Sequence, residues 1–65
     1  MRDRFEKILN QHGVYGEDVV EILFAVSDML ELSADDLEKN EPYAVITIKR
    51  LREAAHDVWE LGIDL

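Results

Sequence analysis

Residues 42–62 read PYAVITIKRLREAAHDVWELG, and the fold turns on whether this stretch is helical throughout. Ala44, Ile48, Leu51, Ala55 and Val58 follow a 4,3,4,3 spacing, the seam of a packing helix. Val45, Ala54 and Trp59 flank that seam and widen the apolar face, while Ile46 falls opposite, among Lys49, Arg50, Glu53, Asp57 and Glu60. Pro42 suits a first helical turn, where its missing N–H loses no bond, and Gly62 suits the end, so the helix is expected from Pro42 to Leu61. The competing reading makes Tyr43 to Ile48 a strand, because Val45, Ile46, Thr47 and Ile48 are all β-branched. No second strand-like run exists to pair with it, and the helix is preferred.

Working backwards, Pro42 disfavours helical geometry at Glu41 and so ends whatever precedes it. Leu32-Ser33-Ala34-Asp35-Asp36-Leu37 has the form of a helix start: Ser33 as cap, Asp36 at the capping-box position, Leu32 stapled to Leu37. A short helix is therefore expected between Ser33 and Pro42. Before it, Glu17 to Glu31 reads as a longer helix. Val19, Leu23, Val26 and Leu30 lie within about 60° on its wheel, with Val20, Ile22 and Met29 at the margins. Glu17, Glu21, Asp28 and Glu31 line the opposite side, and Phe24 sits among them. Near the N-terminus, Phe5, Ile8 and Leu9 give a stripe for a first helix from Asp3 to Gln11, with Gly13 placed to close it. The expectation is an all-α fold: a single small helical bundle over 1–65, of two longer and two short helices.

The apolar faces of the two longer helices are too wide for each other alone. The chain has 65 residues and no cysteine, hence no disulfide or thiolate metal site to stabilise so small a core. Pairing with a second copy would enlarge the core without lengthening the chain, and closed two-fold dimers are the commonest soluble oligomers. A homodimer is expected.

Charge narrows the partner classes. The formal net charge is −8. All of it lies in residues 17–41, where nine acids face one base; the other 40 residues hold six of each. Such a field repels phosphates and anionic lipid and attracts basic protein surfaces, so neither nucleic acid nor membrane is an expected partner. The longest apolar run, Ile22 to Val26, is far shorter than the ~20 residues that span a bilayer, and no apolar segment follows Met1-Arg2-Asp3-Arg4 as in a signal peptide. The expected location is the cytoplasm.

Candidate chemistry is sparse. Glu53-Ala54-Ala55-His56 has the Glu-x-x-His spacing of carboxylate-bridged di-metal bundles, and a dimer would supply two copies. Both side chains fall on the polar side of their helix, away from the seam, which makes Glu53 and His56 weak metal candidates; no cofactor is expected. Ser27, Ser33 and Thr47 have no His and carboxylate at a recognisable motif spacing, so no enzymatic activity is expected either. Lys49, Arg50 and Arg52 form a basic cluster spread over about 160° of the wheel, better suited to meeting the acidic segment of another subunit than a duplex. Phe24 and Ile46 are the apolar exceptions on charged stripes, the pattern of interface anchors. The expected function is that of an acidic helical protein-interaction module, with Phe24, Ile46, Glu17, Glu21, Asp28 and Glu31 as its interface. Two alternatives are an acidic inhibitor, antitoxin-like or mimicking DNA, that binds a basic protein surface, and a metal-carboxylate oxidoreductase assembled between subunits.

Overall fold

The computed structural model describes residues 2–63, which form three α-helices and no strand: α1 (Arg2–Gln11), α2 (Glu17–Asn40) and α3 (Val45–Ile63). The all-helical class agrees with the seam reading of residues 42–62. The helix count does not, and the difference lies at Ser33.

α1 ends as its glycine suggests. Gly13 takes φ 83°, its N–H donates to the Asn10 carbonyl at 3.1 Å, and the Val14 N–H donates to that of Leu9 at 2.9 Å. This pair of bonds is a Schellman closure, which satisfies carbonyls that the helix end would leave bare. Gly16 (φ 57°, ψ −123°) then turns the chain into α2 through a conformation that a side chain would strain. Arg2 fastens the far end of α1: its guanidinium pairs with Glu6 and donates to the Leu61 carbonyl at 2.7 Å, which ties α1 to the last turn of α3.

The expected break at Ser33 is absent. α2 runs unbroken for 24 residues, about 36 Å. The Ser33–Asp36 pair satisfies a helix start wherever one exists, but it contains no Gly or Pro and does not force one. Packing decides instead: Ala34 is fully buried against α3, and the inner stripe of α2 continues through it. The true stop is Pro42. Glu41 leaves the helix at φ −139°, its N–H still bonded to the Leu37 carbonyl, and the Asn40 side-chain amide donates to the Asp36 carbonyl at 3.0 Å.

Pro42 and Tyr43 form a turn rather than the first turn of α3, which begins at Val45. Gly62, expected to close that helix, lies buried inside its last turn. α2 and α3 form an antiparallel hairpin, and most close backbone approaches between helices are theirs. Its core is narrow: Val19, Leu23 and Ala34 from α2, Ile48 and Ala55 from α3. At the centre the buried Ser27 hydroxyl donates to the Ala55 carbonyl at 2.7 Å, so the helices meet over small side chains. The inner face of α2 is thus rotated from the expected Val19–Leu23–Val26–Leu30 stripe toward Ser27 and Ala34, and Val26 is left at the surface. The molecule measures 41 × 16 × 16 Å.

Candidate interaction surfaces

Two sides of the hairpin differ in chemistry. On one, Arg52 of α3 reaches three carboxylates of α2: Glu31 at 2.9 Å, Asp35 at 3.0 Å and Glu38 at 3.2 Å. Of the basic cluster, Arg52 therefore meets the acidic segment within its own chain, while Lys49 pairs with Glu53 along α3. The hydrogen bonds that Arg52 donates to Asp35, and then to Glu38, hold its guanidinium above its ordinary range. A raised folded-state pKa stabilises the fold below the unfolded value and loses effect only as pH rises through the folded one. For an arginine both lie above any ordinary working pH, so Arg52 itself contributes no pH dependence, and salt is the variable that weakens the network.

The same side carries α1. Arg2, Glu6 and Asn10 of α1 line a groove of about 670 Å³ with Val20, Phe24, Glu17 and Glu21 of α2. These α2 residues share the side of Glu31, within about 80° on the wheel. Phe24 is thereby half-buried and not a free anchor on an acidic stripe. Its ring packs on Gly62 of α3, where a Cβ would stand 2.7 Å from the nearest ring carbon. The four acids proposed with it are dispersed: Glu31 is bonded to Arg52, Glu17 and Glu21 flank the groove, and Asp28 lies exposed on the outer face.

Glu53 and His56 do not converge. Glu53 lies 4.0 Å from Lys49, whereas His56 Nε2 is 2.9 Å from Glu60 and its ring stacks near Trp59 at 6.0 Å. Each side chain is satisfied along its own helix. Among the described residues no three His, Cys, Asp or Glu side chains are grouped to hold a metal ion. Also among these residues, no helix is long and apolar enough to cross a membrane.

The hairpin tip is the apolar site that the sequence pattern concealed. Tyr43 is 81% exposed, Val45 64% and Ile46 68%, three large apolar residues within four positions at the turn and the start of α3. Ile46 was legible as an outlier on its stripe. Tyr43 and Val45 were not, because a helix starting at Pro42 absorbs both into regular structure. The Tyr43 hydroxyl donates to the Glu41 carboxylate at 3.4 Å, and Glu38 belongs to the last turn of α2 beside it. The tip thus combines exposed apolar residues with nearby acids. Compared with known protein families, curated proteins and solved structures, the chain matches none.

Proposed function

We propose that this chain is a non-catalytic helical interaction module that self-associates and binds a basic surface of another protein through its hairpin tip. The observation that carries the reading is the adjacency of Tyr43, Val45 and Ile46, large apolar side chains left in water at one end of a rod. Single exposed apolar residues are normal, whereas three large ones within four positions are a denser cluster than that, and tyrosine is over-represented among the residues that dominate protein contacts. The acidic surroundings add the sign of the partner, because Glu41 beside Tyr43 and the net excess of the 17–41 segment steer basic surfaces toward the tip.

The acidic-inhibitor reading draws on the same charge but has less to use. Phosphate mimicry needs free carboxylates in a long row, and Arg52 engages Glu31, Asp35 and Glu38. The oxidoreductase reading has Glu53 and His56 turned to separate partners.

Affinity capture on the immobilised chain, run in parallel with Ile46→Glu and Tyr43→Ser, tests the tip. Both positions are exposed, so the variants are expected to keep their helical circular dichroism. A basic protein retained by the wild type and lost by both variants supports the proposal. An identical set retained by all three forms sinks it, and complete elution of the partner by moderate salt would favour the electrostatic inhibitor.

A further inference from the structure

The side of the hairpin opposite Arg52 is uncharged between Ile22 and Ser33, with Asp18 and Asp36 at its outer edge beyond each end of that stretch. Because α2 and α3 are antiparallel and Arg52 bonds Glu31, Asp35 and Glu38, the flank of α2 holding these acids is matched with the flank of α3 holding Arg52. The other flank of α2 must then lie beside the other flank of α3. On α2 it carries Ile22, Val26, Met29 and Ser33, within about 60° of one another and about 120–180° from Glu31 and Glu38. On α3 it carries Leu51, Ala54 and Val58, about 100–160° from Arg52. Val26 and Met29 are 37% and 66% exposed, and α1 lies along the opposite side.

We infer that this flank is the seat of a second copy of the chain, docked about a two-fold axis near Met29 to give a four-helix bundle with both α1 helices outside. The inference rests on the self-association part of the function proposed above and gives that association its surface. Area argues for this occupant. A compact monomer of this mass exposes about 4,200 Å². The chain exposes 5100 Å². The excess matches the ~800 Å² that each partner contributes to a standard interface. Shape agrees: the radius of gyration is 13.7 Å, against about 11 Å for a compact domain of this length. Two rods of 16 Å width laid side by side restore a compact bundle. Charge selects the face. Copies that each carry −8 repel across any acidic surface, and here they meet over Ile22, Val26 and Met29 with Glu31, Asp35 and Glu38 turned away and only Asp18 and Asp36 at the margin. A two-fold contact also requires a self-complementary patch, which the apolar stretch centred on Met29 provides.

The chain has no cysteine, so single-cysteine variants report proximity directly. Light scattering after gel filtration should give the wild type twice the 7.5 kDa chain mass. Met29→Glu, exposed in the single chain, should keep its helical circular dichroism while the dimer dissociation constant rises roughly a hundredfold, since it would bury an unpaired charge. Met29→Cys should cross-link into a covalent dimer under mild oxidation, and Asp28→Cys, one residue away on the outer face, should not. A wild-type dimer that is unchanged by Met29→Glu and cross-links no better through Met29→Cys than through Asp28→Cys overturns the flank but leaves self-association standing. A wild type that stays at single-chain mass up to its solubility limit overturns both, even if the flank then captures a different protein.

Discussion

At the scale of single residues the most telling contact is between Phe24 and Gly62. An ideal wheel places Phe24 among acids because it follows the Cα–Cβ direction, whereas an aromatic side chain spans several ångströms and can lie sideways over a neighbour that has no side chain. Gly62 is that neighbour, so its absence of a Cβ is part of the packing and not a signal of helix termination. Two magnitudes of similar size compete when it is changed. Alanine in a helix interior is favoured over glycine by about 1 kcal/mol. Forcing a methyl group to within 2.7 Å of the ring invokes overpacking, typically about 1–3 kcal/mol. Gly62→Ala is therefore expected to destabilise the wild type by up to about 2 kcal/mol. In a Phe24→Ala background the clash is gone, and the same change should stabilise by up to about 1 kcal/mol. Denaturant midpoints for the four members of this cycle would show it; equal effects of Gly62→Ala in both backgrounds would mean that the ring does not depend on the glycine. Ser27 teaches a related lesson. A search for apolar periodicity passes over a serine, yet its buried hydroxyl reaches the backbone of the facing helix.

At the scale of elements, the helices were legible wherever backbone chemistry alone decides. Gly13 closes α1, Pro42 ends α2, and the 4,3,4,3 seam of α3 excludes the β-branched strand reading. What misled was a permissive signal taken as a compulsory one. Ser33 with Asp36 can begin a helix, but only packing determines whether one begins there, and Ala34 is held inside the hairpin. The two readings differ in the sign of a simple substitution. If Ser33 were a cap, Ser33→Ala would cost about 1 kcal/mol. In an uninterrupted, exposed helical position it removes a poorer helix former, and a gain of a few tenths of a kcal/mol is expected. A higher melting temperature for Ser33→Ala fits the continuous α2, and a fall of several degrees would count against it. The continuity also matters for the surfaces: only an unbroken α2 brings Glu31, Asp35 and Glu38 onto one line facing Arg52, and so leaves the stretch from Ile22 to Ser33 on the opposite flank without charge.

At the scale of the whole molecule, the sequence announced an excess of charge and a shortage of core, but not how the structure separates them. Wheels drawn for single helices cannot tell which flank of α2 lies beside which flank of α3; the three ion pairs of Arg52 do. Once the flanks are distinguished, the two proposed contacts respond oppositely to salt. Binding of a basic protein at the tip, with its nearby acids, gains from attraction, which weakens as the screening length falls from about 10 Å at 0.1 M to 3 Å at 1 M. Self-association across the flank opposite Arg52 gains from apolar burial and is opposed by repulsion between two chains of −8, so screening should strengthen it. Sodium chloride is thus expected to lower the dimer dissociation constant while raising that of any basic partner. Stability should follow mass action as well. If folding and dimerisation are linked, each tenfold rise in chain concentration adds about 1.4 kcal/mol per dimer and moves the melting temperature up by a few degrees. Thermal melts across two decades of concentration, at low and high sodium chloride, test both terms at once. A melting temperature that ignores concentration at both salts would assign the whole stability to the single hairpin, and its narrow core would then have to suffice.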